Sequence, residues 1–176
     1  MSAMIPAWVK GSLKPVEKLQ VHRDGLKHKA VSVLVMRGRE MLIQQRALHK
    51  YHTPGLWANA CCTHPAWNES AADCAIRRLD EELGITDLTP EFRERLEYRA
   101  DVGNNLIEHE VVDVFYADAK DLTRIAPNPS EVMAVDWVTL DRLMSDIEDK
   151  PERFTPWFRI YLKEYSATIL GAPLLI

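Results

Sequence analysis

The sequence predicts an α+β fold in which a mixed β-sheet lies between helices, and three observations carry that prediction. Short β-branched runs such as Ala30-Val31-Ser32-Val33-Leu34-Val35-Met36 suit buried strands. From Ser70 the apolar pattern changes to a four-residue period, that of an amphipathic helix. Strands and helices then follow one another without strict βα alternation, which disfavours a parallel doubly wound sheet.

Each element has its own local reason. Arg37-Gly38-Arg39-Glu40 turns the Ala30 to Met36 strand back into Met41-Leu42-Ile43-Gln44-Gln45. Thr53-Pro54-Gly55 reads as a loop, and Trp57 to Cys62 as an extended stretch ending before Pro65. In the helix, Ala71, Ala75, Leu79 and Leu83 form the apolar stripe; Ser70 with Asp73 makes a capping box, and Gly84 ends it. Leu96 to Asp101 and Glu108 to Tyr116 read as strands joined by Val102-Gly103-Asn104-Asn105, whose Gly and Asn residues favour a hairpin turn. A strand over Ala134 to Val138 and helices over Leu140 to Glu148 and Pro156 to Ile169 complete the reading.

The chain has 176 residues, of which 22 are Lys or Arg and 26 Asp or Glu, a formal net charge of −4. This length fits one domain over 1–176, and no repeat or Gly/Ser-rich linker marks a boundary. The acidic balance disfavours a general nucleic-acid binder, which needs a basic face to displace phosphate counterions. Met1 to Lys10 lacks the charged-then-apolar pattern of a signal peptide, and Ala30 to Met36 is far too short to cross a membrane. Three cysteines, two of them adjacent, are too few for a disulfide scaffold, so a cytoplasmic protein with reduced thiols is expected.

Three groups of residues invite chemistry. Cys62 and His64 lie two apart in an extended segment and so share a face; a buried thiol beside a surface imidazole is the bland alternative. On the helix, Arg77 with Glu81 and Arg78 with Glu82 are spaced as surface ion pairs, while adjacent Glu81 and Glu82 could also hold Mg²⁺ together with substrate phosphates. Glu108 and Glu110 share a strand face, where either solvent or a shared cation would offset their repulsion. Of the six histidines, His22, His28, His49, His52, His64 and His109, a lone one is usually satisfied structurally, and only His64 gains interest from its spacing to Cys62.

The ordered set Trp57-Ala58-Asn59-Ala60-Cys61-Cys62-Thr63-His64-Pro65, Glu69, Arg77-Arg78, Glu81-Glu82-Leu83-Gly84 and Glu108-His109-Glu110 resembles the type I isopentenyl diphosphate isomerases of the Nudix superfamily. The resemblance runs from about Glu17 to Trp157. The Nudix box maps onto Thr63, Glu69, Arg77, Arg78, Leu79, Glu81, Glu82 and Gly84 with two departures: Thr63 stands for the leading Gly, and Arg78 for the Glu after the box arginine. Nudix hydrolases use that carboxylate in a water-activating metal cluster, so its replacement by a cation moves weight from hydrolysis to isomerisation. The His22 to His28 spacing is one residue shorter than in the family.

The resemblance implies a Nudix-like mixed sheet sandwiched between helices. It also implies Mn²⁺, Zn²⁺ or Mg²⁺ held by His22, His28, His64, Glu108 and Glu110, and Mg²⁺ bound with the diphosphate through Glu82 and the Cys62 carbonyl. The diphosphate of a small prenyl substrate would be gripped by Lys18, Arg46, Lys50 and Arg78. Isopentenyl and dimethylallyl diphosphate would interconvert through a tertiary carbocation, with Cys62 and Glu110 as acid and base, Tyr98 assisting Glu110 and the Trp157 face stabilising the cation. No nucleic acid or membrane enters this reading. Two alternatives stand beside it: a Nudix hydrolase of a nucleoside or other diphosphate, and a non-catalytic metal- or diphosphate-binding domain.

Overall fold

The computed structural model describes residues 3–120 and 123–171. Met1 and Ser2, part of the segment read for a leader, lie outside the described residues.

The chain opens with a hairpin, β1 (Met4–Val9) and β2 (Ser12–Glu17), turned by Lys10 and Gly11 at φ 51° and 79°. A short helix α1 (Lys18–Asp24) leads into the long strand β3 (Lys27–Arg37), which hairpins through Gly38 into β4 (Glu40–Arg46). Then come β5 (Trp57–Asn59), β6 (Cys61–Thr63) and helix α2 (Ala71–Leu83). The antiparallel pair β7 (Glu91–Asp101) and β8 (Ile107–Asp118) follows, then β9 (Val132–Thr139), α3 (Leu140–Asp149), α4 (Pro156–Glu164) and α5 (Ser166–Leu170).

The sheet is mixed because β3 and β8 run parallel, from Lys27 against His109 to Met36 against Asp118, while their other pairings are antiparallel. Strand β3 is buried on both faces, as its continuous apolar run requires. Val31, Val33 and Val35 pack with Cys74, Ala75, Leu79 and Leu83 of α2. Ala30, Leu34 and Met36 face the opposite core, built with Leu143, Trp157, Phe158, Tyr161 and Ile169 of α3 to α5. The period-2 alternation of one strand thereby supplies two cores, and the sheet lies between helices as predicted.

Two predicted elements differ, and one stretch gains elements. Trp57 to Cys62 is two strands, not one, because the chain leaves β4 at Asn59 and joins β3 from Cys61, with Ala60 at the crossing. The last helix is broken: Tyr165 leaves helical geometry at φ −125°, ψ 5° and divides Pro156 to Ile169 into α4 and α5. Met4 to Asp24, left without elements by the sequence reading, forms β1, β2 and α1.

The ends of α2 follow its sequence signals. Ser70 Oγ accepts from Asp73 N at 3.1 Å, and Gly84 at φ 63° donates back to Asp80 O at 2.8 Å. A Cβ on Gly84 would stand 3.0 Å from the Ala126 carbonyl oxygen, in a backbone region that side chains disfavour. Gly84→Ala is therefore expected to cost about 2 kcal/mol, or roughly 4–8 °C in melting temperature for a chain this size. Calorimetry showing an unchanged melting temperature would contradict that account of the helix end.

Candidate functional site

Five elements converge on one pocket. The C-terminal turn of α1 brings His22, and the start of β3 brings His28. The end of β6 presents Cys62 and then His64, β8 presents Glu108 and Glu110 on one face, and the first turn of α4 supplies Trp157. The parallel pairing sets His28 directly beside Glu110, and the β7–β8 register sets Tyr98 opposite Glu110.

Glu108 and Glu110 are 2% and 1% exposed, which removes the solvated-edge reading. Tyr98 Oη lies 2.9 Å from Glu108 Oε2 and 2.7 Å from Glu110 Oε2, so its proton can be donated to either carboxylate. Burial would raise Glu110, but hydrogen bonds from His28 and His64 outweigh it and hold the carboxyl well below the usual range. Burial, and next the neighbouring Glu110 charge, push Glu108 well up. The pair thus shares its charge unequally.

The histidines are arranged as donors. His22 Nδ1–H donates to the Lys18 carbonyl at 2.7 Å, and His28 Nδ1–H to the Leu26 carbonyl at 2.7 Å. A carbonyl only accepts, so Nδ1 carries a proton in both rings, and a ring that gives up its Nε2 proton to a bound cation offers that lone pair inward. His28 Nε2 and His64 Nε2 are 3.2 Å apart, and His64 Nε2 is 3.0 Å from Glu110 Oε1. Burial lowers His22 to about 4 and His64 well below the usual imidazole value. His22 Nε2 is buried with no partner. Converging lone pairs, buried carboxylates and an orphaned nitrogen are a donor set that a divalent cation fits: one ligating atom from each of His22, His28, His64 and Glu110 lies within 4.8 Å of all the others. Between His22 and His28, Gly25 at φ 59° ends α1 and the chain turns straight into β3.

Above this cluster lie the cations. Lys18, Arg46, Lys50 and Arg78 line the same small cavity as Cys62, His64 and Glu82. Burial, then Lys50, Arg78 and Arg46, hold Lys18 below the usual lysine value, the mark of cations crowded around an anion site. Arg78 Nη2 reaches Glu82 Oε1 at 2.6 Å and Nη1 reaches Glu81 Oε2 at 2.7 Å, while Lys50 pairs with Glu131. The two helix carboxylates have separated: Glu81 is a surface partner, whereas Glu82 is buried and also accepts from Gln44 Nε2 at 2.9 Å.

Cys62 Sγ lies 4.0 Å from the Tyr161 hydroxyl. Burial, then Glu110 and Glu108, push its thiol well up. Cys61 points to the other side of the sheet, into the α2 core, with its sulfur 3.6 Å from Glu82 Oε1. Cys61, Cys62 and Cys74 are all free thiols. Trp157 is only 1% exposed, with Arg46 over its ring at 5.3 Å and His52 against it edge-on at 5.9 Å.

Every residue singled out for the site therefore reaches this region. The structure adds Tyr161, one helical turn after Trp157, and His52, from the loop after β4; the i, i+4 spacing of Trp157 and Tyr161 was the readable signal for the first. The larger hollow, about 810 Å³ between α3, α4 and the end of β7, is lined by none of the site residues.

The NUDIX domain family model matches residues 26–158. The chain is 64% identical to the isopentenyl-diphosphate Delta-isomerase of Dinoroseobacter shibae, covering 97% of each chain. It is 58% identical to that of Ruegeria pomeroyi, covering all of this chain and 98% of the relative. Among solved structures, a Deinococcus radiodurans protein superposes with a TM-score of 0.73 at 12% identity, over 92% of this chain and 98% of that one. A Nudix hydrolase from M. smegmatis does so with a TM-score of 0.62 at 20% identity, over 85% and 89%. The last two likenesses speak to the fold alone.

Proposed function

The chain belongs to the NUDIX family and, within it, to the isopentenyl-diphosphate Delta-isomerases, and from that premise we propose that Cys62 and Glu110 are the acid–base pair that moves the double bond. The observation that carries the assignment is the cavity itself: a thiol, two buried carboxylates bridged by a tyrosine, and four cations line one space.

The reaction adds a proton to one carbon of an alkene and removes another proton two carbons away. An unactivated alkene is a weak base, so acid and base must both be close, dry and held on opposite sides of the carbon skeleton. Glu110, with Tyr98 hydrogen-bonded to it, serves the side on which the alkene is protonated, and Cys62 takes the proton from the other. In the reverse direction each group takes the opposite role. The tertiary carbocation between the steps faces the Trp157 ring, whose π-electrons attract a cation without attacking it. The buried walls keep out the water that would trap it as an alcohol.

Lys18, Arg46, Lys50 and Arg78 bind the diphosphate, Arg78 and Arg46 as planar forks. Arg78 stands where a hydrolase carries a metal-binding carboxylate, so a cation replaces one ligand of the water-activating metal cluster that hydrolysis needs. His22, His28, His64, Glu108 and Glu110 would hold Mn²⁺, Zn²⁺ or Mg²⁺, and Glu82 with the Cys62 carbonyl would hold Mg²⁺ beside the diphosphate; such ions supply positive charge that neutralises phosphate and carboxylate oxygens. One Nudix-type domain over 1–176 and a cytoplasmic location complete the proposal. Among the described residues no helix is long and apolar enough to cross a membrane.

The experiment is incubation with isopentenyl diphosphate and Mg²⁺ in D₂O. Deuterium in the dimethylallyl product, with no phosphate released, is the expected result. Release of phosphate or a monophosphate without isomerisation would transfer the assignment to a Nudix hydrolase.

A further inference from the structure

His52 belongs to none of the groups assigned above, yet it is built into the cation cluster. It comes from the loop between β4 and β5 and is 4% exposed. Its ring stacks on His22 with centroids 5.6 Å apart and an interplanar angle of 24°. Its Nε2 stands 3.8 Å from Glu108 Oε1. One ligating atom from each of His22, His52 and Glu108 lies within 4.8 Å of the other two.

The ring's other nitrogen is also engaged: His52 Nδ1 lies 3.1 Å from Thr53 Oγ1, a hydroxyl that can accept from Nδ1–H, the tautomer that turns the Nε2 lone pair inward. Thr53, a β-branched residue, sits at φ 46°, a conformation such residues seldom adopt.

The two overlapping donor groups share His22, whose Nδ1 is committed to the Lys18 carbonyl. Its single free nitrogen, Nε2, is the buried atom with no partner, and it can ligate one ion at a time. Bonds of about 2.1 Å to one ion put neighbouring donors about 3 Å apart. His64 stands 3.0 Å from Glu110 and His52 3.8 Å from Glu108, within groups whose atoms lie up to 4.8 Å apart, so one shell forms when the donors, His52 among them, close inward on the ion.

We propose that His52 is an additional ligand of the one cation bound by this cluster, giving it four imidazoles and two carboxylates. A fourth nitrogen donor favours Zn²⁺, Co²⁺ or Mn²⁺ over Mg²⁺, which prefers oxygen. The inference rests on the reading that the histidine–glutamate cluster holds a divalent cation.

The test is binding of Co²⁺ and Zn²⁺ to the full chain without substrate, by visible absorption of the Co²⁺ form and by calorimetric titration with Zn²⁺. The expected result is one ion per chain, a Kd raised about 10–100-fold in His52→Ala and His52→Gln, and a Co²⁺ spectrum altered in both. Thermal unfolding of each variant without metal checks that it is folded, and the glutamine variant keeps a polar side chain in place should alanine fail that check. Wild-type affinity and spectrum in a folded His52 variant would overturn the ligand assignment alone. Two ions per chain would overturn the single shared shell. No binding by the wild-type chain would overturn the cation reading on which the inference rests.

Discussion

Cys62→Ala is expected to lower isomerase turnover by about 10⁴-fold or more, since general acid–base catalysis contributes about 10²–10⁴-fold and members of one catalytic unit fail together. The substitution takes away only the sulfur. The backbone of Cys62 stays paired with Ser32 on β3, and Asn59 Nδ2 still reaches the Cys61 carbonyl at 2.8 Å, so the strand that carries the thiol keeps its position. The sulfur's partner is the Tyr161 hydroxyl at 4.0 Å, a weak contact whose loss should shift the melting temperature little. Turnover by conversion of isopentenyl diphosphate and melting by calorimetry separate the two effects. A folded Cys62→Ala chain with near-normal turnover would remove Cys62 from the pair and leave the thiol as part of the wall.

The residues that were legible in the sequence are those whose local physics agrees with the fold. α2 carries a cap, a stripe and a stop that each act within one or two turns, and Ser70, the Ala75–Leu79–Leu83 face and Gly84 perform as their types require. The Val102 to Asn105 turn reads for the same reason: Gly103, Asn104 and Asn105 all sit at positive φ, where those residue types are tolerated. β1 and β2 were hidden by their prolines. Pro6 and Pro15 stand opposite one another in the register, Pro15 on the edge strand β2 and Pro6 on β1, whose pairing with β3 is confined to Ala7; a missing N–H is tolerated there, but a run containing Pro does not read as a strand. The seven residues of α1 are too few to display a helical period, although that helix positions His22.

The buried carboxylates show a different limit. Adjacent like charges belong in water by default, and nothing within Glu108-His109-Glu110 reverses that expectation. What reverses it is supplied from elsewhere in the chain: Tyr98 from β7, His28 from β3 and His64 after β6. The family motif carried that information because it joins distant segments, which periodicity cannot. His52 had neither a period nor a motif, and only the packing of its loop against His22 and Trp157 brings it forward.

Glu110→Gln is expected to abolish turnover to a similar degree, about 10³–10⁴-fold, for two separable reasons. The carboxylate is both a proton carrier and an anionic donor among the histidines, contacting His64 Nε2 at 3.0 Å and His28 Nε2 at 3.5 Å. Glutamine preserves its shape and can still accept from Tyr98, but it carries no charge and cannot pass a proton at neutral pH. Losing the charge should also weaken Mn²⁺ or Zn²⁺ binding by about 10–100-fold. Titrating the metal to saturation during the assay distinguishes the roles. If Glu110 acts only by holding the ion, excess metal restores turnover; if it carries the proton, the saturated variant stays inactive. Burial, then Glu110 and Glu108, push the Cys62 thiol up, while the contacts with His28 and His64 hold the Glu110 carboxyl down against its burial. In D₂O, a saturated Glu110→Gln chain given dimethylallyl diphosphate that exchanges deuterium at the double-bond carbon nearer the diphosphate, without forming isopentenyl diphosphate, would leave Cys62 working alone and assign the missing half-reaction to Glu110.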